Sequence, residues 1–161
     1  MWRELVQDYS SEGVFANPAT ESELEWVEGS LDIKMPASLR ALLRESDGMA
    51  LKIRLPGEGD EVRTLVWSTD EMLSQNLELR AQDALHGKDA AYPYFFFARE
   101  TNGDPMAFPV KDGQAQESPI VVLSHDHRWE RRTRDTDLRG YVEAVLKFAA
   151  ARYGVGKKEP V

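Results

Sequence analysis

Residues 24–48, LEWVEGSLDIKMPASLRALLRESDG, decide how this chain is read. Leu24, Val27 and Leu31 share one face of an amphipathic helix. Leu39, Leu42, Leu43 and Ser46 repeat the i, i+3, i+4, i+7 pattern in a second one. Between them, Leu31-Asp32-Ile33-Lys34-Met35-Pro36 is too short for a strand with turns of its own. It reads as a bent connector, with Pro36 at a helix start, where a missing N–H costs nothing. Asp47-Gly48 then stops the second helix abruptly.

Working outward, Thr20 and Glu23 have the spacing of a capping box, which starts the first helix near Glu21 and runs it to about Ser30. The second helix spans about Pro36 to Ser46. Trp2, Leu5, Val6 and Tyr9 predict a short N-terminal helix over residues 1–10, followed by a loop to Ala19. After Gly48, Leu51, Ile53 and Leu55 alternate with Lys52 and Arg54, the period-2 signature of a strand with one wet face. Pro56 to Asp60 is a turn by composition, and Val62 to Ser68 is the returning strand. Thr69 to about Leu85 reads as a helix whose weakly apolar face places it on the outside. Tyr94 to Ala98 is a densely apolar strand, Asn102-Gly103 a hairpin signal, and Pro105 to Val110 its return. Lys111-Asp112-Gly113 turns again, and Ile120 to Leu123 is a buried strand. Residues 125–135 are polar and irregular. Leu138, Tyr141, Val142, Val145, Leu146 and Ala149 form the cleanest apolar stripe, a closing helix.

This order predicts an α+β fold, with a mainly antiparallel sheet of about five to six strands and helices packed on one side. Its 161 residues make one domain, with a core over about 20–150 and a frayed tail at 155–161. A hydrophobic content of 42% with 30% charged residues fits a soluble globular chain. No apolar run approaches the about 20 residues that span a bilayer. Acids within Met1 to Asp8 argue against a secretory signal, so a cytoplasmic location is expected. The absence of cysteine excludes a disulfide frame, a thiol nucleophile and a thiolate metal site. A net charge of −8 argues against general binding to nucleic-acid phosphates and favours either solubility or a basic partner.

The helix–link–helix unit resembles the opening of the SUKH superfamily, the Smi/Knr-type proteins. There an acidic helix leads into a Leu-Gly-x-x-Leu-Pro link, a second helix and an Asn-Gly-Gly-like stop. Here the link is LDIKMP and the stop Ser46-Asp47-Gly48, with Asp32 at the usual Gly position and Met35 at the usual Leu position. Phe96-Phe97-Ala98, Gly103-Asp104, Met106-Ala107-Phe108, Pro119-Ile120-Val121 and Ser124-His125-Asp126 follow in the superfamily's order, and the helix from Leu138 closes it. The resemblance covers roughly residues 20–150. It implies a binding module. Bacterial members are largely immunity proteins that neutralise toxins, often nucleases, and fungal relatives are regulatory scaffolds.

The chemistry-bearing residue types argue for little else. His125 and His127 have a spacing that metals use, but a tetrahedral site needs further ligands, and His86 is the one other histidine. A structural role for the pair is favoured over a metal enzyme, and no cofactor is expected. Ser124-His125-Asp126 holds the residue types of a hydrolase triad, but triad members meet from separate segments. Gly57-Glu58-Gly59 lacks the Lys-Ser/Thr of a phosphate loop. Arg128 to Arg134, with Trp129 inside it, reads as a solvated basic run ahead of an RNA contact.

Glu21, Glu25, Glu28 and Asp32 line one helical face, either as its wet side or as a strip for a basic partner. Glu58, Asp60 and Glu61 form a second acidic cluster on a turn. Trp67, Tyr94 and Trp129 are interface anchors or core-edge residues. The candidate partner-binding residues are therefore Glu21, Glu25, Glu28, Asp32, Glu58, Asp60, Glu61, Asp104, Trp67 and Trp129. The expected partner is a protein, a basic toxin domain, with no membrane and no general nucleic-acid binding.

Overall fold

A computed structural model describes residues 1–9, 12–55, 57–85, 94–124 and 130–153. The expected α+β class is observed. Its strands, however, form two antiparallel sheets, one of three strands and one of five, in place of a single sheet. His86, His125, Asp126, His127, Trp129 and the tail lie outside the described residues.

The helical unit is built as its sequence dictates. Helix α1 is Trp2–Tyr9, and a three-residue strand β1, Gly13–Phe15, follows within the stretch expected to be loop. Helix α2, Glu21–Leu31, opens on the capping box: the Glu23 amide donates to Thr20 Oγ1 at 3.1 Å and the Thr20 amide to Glu23 Oε1 at 3.2 Å. It ends at Asp32, whose φ of 55° and ψ of 40° are left-handed. An L residue is strained there, and glycine is not, which explains why this position is usually Gly in the family that the link resembles. Lys34 then donates to Gly113 O at 2.8 Å and accepts from the Ala115 amide at 2.9 Å. The connector is thus pinned to a turn about eighty residues further along the chain. Pro36, at φ −62°, caps helix α3, Ala37–Glu45.

The end of α3 is a junction. Glu45 accepts the Trp2 and Arg3 amides at 2.9 and 3.1 Å, capping the start of α1. Ser46 Oγ accepts the Ala16 amide at 2.9 Å. Asp47 accepts the Thr69 amide at 2.7 Å. Gly48, at φ +91°, turns the chain into β2, and a Cβ there would lie 2.9 Å from the Ser68 amide nitrogen.

Strand β2, Met49–Leu55, pairs with β1 on one side and with β3, Gly59–Val66, on the other. The second sheet runs β4 (Tyr94–Arg99), β5 (Pro105–Lys111), β7 (Ile120–Ser124) and β8 (Glu130–Asp135), with β6 (Gln114–Ala115) paired to β5. Strand β8 falls in a stretch expected to be irregular. It has no apolar face of its own, but β7 supplies a partner edge from Ile120↔Asp135 to Ser124↔Glu130. Asp112 and Gly113, at φ 52° and 73°, make the two-residue β5–β6 turn. The β4–β5 link differs from a two-residue hairpin. Only Gly103 has positive φ, while Asn102 uses its side chain, accepting the Asp104 amide at 3.0 Å.

Helix α4, Thr69–Leu85, was expected on the outside but packs between α2 and β4, burying Thr69, Met72, Asn76 and Leu79. Its polar Asn76 is the reason. The Asn76 amide donates to Phe96 O at 2.9 Å and accepts the Phe96 amide at 3.0 Å, so a side chain completes the outer edge of β4. Helix α5, Leu138–Tyr153, closes the core. Phe97 stacks on Phe108 with centroids 4.7 Å apart and meets Tyr141 edge-on at 5.4 Å. The buried Tyr141 hydroxyl donates to Leu65 O at 2.7 Å, tying α5 to β3, and burial pushes its pKa up.

Candidate protein-binding site

The acidic face of α2 divides in three. Glu28 is 3% exposed. Its Oε1 accepts Arg40 at 2.6 Å and its Oε2 accepts the Met35 amide at 2.8 Å, so it holds α3 and the link against α2. Burial pushes its pKa up, but Arg40 and the Met35 amide outweigh this and hold the carboxyl below its usual range. Glu21 is exposed and carries Arg44 at 2.6 Å and Arg40 at 3.1 Å; these hydrogen bonds lower its pKa. Glu25 and Asp32 are exposed and, among the described residues, have no ion-pair partner. Trp26, 67% exposed, lies on the same helix.

The second acidic cluster lies at the β2–β3 turn. Glu58, Asp60 and Glu61 are all exposed. Asp60 pairs with Lys52 at 3.2 Å and Glu61 with Arg63 at 3.6 Å, while Glu58 has no ion-pair partner among the described residues. Asp104 and Trp67 are buried, at 4% and 6% exposure. Asp104 holds the β4–β5 turn, its Oδ2 accepting Asn102 Nδ2 at 3.0 Å. Trp67 sits at the junction of the two sheets, where its amide donates to Phe97 O at 2.9 Å. Glu28, Asp104 and Trp67 thus face the interior, because each has hydrogen-bonding or apolar work there. Trp129 and the histidines lie outside the described residues. Among the described residues no group of three or more His, Asp or Glu side chains is placed to hold a metal ion.

One concavity has no counterpart in the sequence reading. The two sheets meet at Trp67–Phe97 and diverge from it, leaving a cleft of about 720 Å³. Strand β3 forms one wall, the β4–β5 turn from Arg99 to Asn102 the other, and Tyr141, Val145 and Phe148 of α5 the back. Its volume falls in the roughly 300–1,000 Å³ range of ligand-sized pockets. Val62 and Phe148, 60% and 59% exposed, flank it. Nothing local in the sequence marks Arg99, the charged last residue of the apolar strand β4.

The fold is thus that of an α+β protein with two antiparallel sheets and an acidic helical hairpin on its surface. The model of the SMI1 / KNR4 family (SUKH-1) matches residues 18–142, from the loop before α2 into α5, and the chain belongs to that family. No curated protein matches the chain significantly in sequence. Among the described residues, no helix is long and apolar enough to cross a membrane.

Proposed function

We propose that this protein is a non-catalytic binding module, a bacterial immunity protein that neutralises a cognate polymorphic toxin by occluding it. The match of residues 18–142 to the SMI1 / KNR4 family carries the reading. The exposed carboxylates support it: Glu25 and Asp32 on the helical hairpin, and Glu58 on the β2–β3 turn, offer negative charge that no internal cation neutralises among the described residues. Such charge accelerates encounter with a basic surface and disfavours wrong partners. Trp26, exposed between the charges of α2, supplies an aromatic anchor. In this reading the protein works in the cytoplasm of the toxin-bearing cell.

Co-expression with the toxin-like domain encoded beside it tests the proposal. A stable complex and cell survival are expected. Absence of both overturns it and favours the second reading, a regulatory scaffold for an endogenous protein, which a pull-down from the native host would then identify.

A further inference from the structure

Strand β3 ends the three-stranded sheet, with β2 on one side only. It touches the five-stranded sheet through one backbone hydrogen bond, from the Trp67 amide to Phe97 O, just past its end. Among the described residues no other backbone hydrogen bond reaches its outer edge. The cleft is lined by the consecutive residues Glu61 to Leu65. Because successive residues of a strand point to opposite faces, a run of consecutive lining residues means that the cleft takes in the strand's outer edge as well as the face it shares with Leu51 and Ile53 of β2. The Tyr141 hydroxyl takes Leu65 O, so the open stretch among the described residues is Glu61 to Thr64, and an unpaired edge is a template for another strand.

The cleft lining carries one more cation than it carries carboxylates. Arg63, Arg99 and Arg134 line it against Glu61 and Glu100, in a chain whose net charge is −8. Glu100 is already shared between Arg132 at 2.7 Å and Arg134 at 3.4 Å. Among the described residues Arg99 is held by neutral groups: Gln75 Oε1 at 3.0 Å, Gly103 O at 2.8 Å, and the Trp67 ring 5.9 Å from the guanidinium. Those bonds fix its position without neutralising its charge. The floor between the arginines is apolar, from Leu51, Ile53, Leu65 and Val145.

We propose that the β3 edge and its cleft receive an extended segment of a partner protein as an added strand, with apolar side chains in the cleft and an alternating carboxylate on Arg99. Main-chain bonds to β3 supply affinity, and the floor and Arg99 supply specificity. The charges of Glu61 and Arg63 on the same strand keep indiscriminate edges away. This surface is separate from the α2 carboxylates, and the proposal does not depend on the toxin reading.

The test uses the isolated full chain, isotopically labelled, titrated with a capped peptide of alternating Val and Glu while amide chemical shifts are followed. Shifts at residues 61–65 and 99–102 are expected. The matching Val/Gln peptide is expected to bind at least tenfold more weakly, and a version N-methylated at alternate residues not at all. Arg99→Gln removes the preference for Glu over Gln. If that variant folds poorly, Thr101→Glu, on the exposed turn at the same mouth, is expected to weaken the Val/Glu peptide selectively. No shift at millimolar peptide, shifts confined to other surfaces, or indifference to N-methylation overturns the proposal. So does hexanoate alone shifting the same amides as strongly, which would assign the cleft to small carboxylic acids. None of these outcomes bears on the co-expression test.

Discussion

Asp47 caps helix α4 across twenty-two positions of sequence: its Oδ1 accepts the Thr69 amide at 2.7 Å and its Oδ2 the Thr69 hydroxyl at 3.0 Å. The stop of one helical hairpin is therefore the start of the next helix. Together with Glu45 on α1, it makes the four residues 45–48 a joint between α1, β1, α4 and β2.

Asp47→Ala should destabilise by about 1–2 kcal/mol, the loss of a good helix cap. Asp47→Asn should stay within about 0.5 kcal/mol at pH 7, since Asn caps equally well. Burial raises the Asp47 pKa against the lowering effect of the Thr69 bonds. A raised folded-state pKa means that protonation favours the fold: this contribution is fully present below the unfolded pKa and is lost as pH rises through the folded one. Asp47→Asn removes that pH dependence, which urea denaturation across pH 3 to 7 measures.

Glu28 behaves with the opposite sign. Its folded pKa is lowered, so its contribution is present above the unfolded value near 4.5 and is lost as pH falls through the folded one. Glu28→Gln should lose about 1–3 kcal/mol at pH 7, because the half-buried Arg40 then keeps only the exposed Glu21 as a charged partner among the described residues. It should also flatten the acid limb of the stability profile, read from the same titrations.

Asn76→Ala removes both bonds to Phe96 and leaves the edge of β4 unsatisfied in the interior. A loss of about 2–3 kcal/mol is expected from two buried backbone groups. Hydrogen exchange should show the Phe96 amide losing protection before its neighbours on β5.

The Asp32 backbone makes a test in the stabilising direction. Asp32→Gly relieves a left-handed L residue and should add up to about 1 kcal/mol, whereas Asp32→Ala should not. Thermal unfolding of the two variants compares them directly.

Gly48→Ala should destabilise by about 2 kcal/mol or more, since a positive φ and a backbone clash with Ser68 act together. Calorimetric melting of the purified variant reads the loss. An unchanged melting temperature would mean that the joint yields more easily than its contacts imply.

Local chemistry made most of the elements legible. The Thr20–Glu23 box starts α2 where its spacing puts the start, and the leucine spacing of α3 and the stripe of α5 bury the faces that their periods mark. Strand β8 was illegible because ERRTRD carries no pattern, and its conformation comes from β7. The site was harder for the same reason. Glu21, Glu25, Glu28 and Asp32 look equivalent on one helix, and it is Arg40 of the next helix and the Met35 amide of the link that separate the buried Glu28 from the outward Glu25. Trp67 and Asp104 carry residue types that suit an interface, yet their bonding partners at Phe97 and Asn102 draw them inward. The cleft arises where two sheets part, a relation that no single segment encodes.

The pinning of Lys34 to Gly113 and Ala115 bears on how the chain emerges from a ribosome. Helices α2 and α3 can form as soon as they are synthesised, but the link between them keeps open polar groups until residue 115 has left the tunnel. Closing so long a loop is entropically slow. The link between the two helices therefore gains its last hydrogen bonds only after β6 has been made.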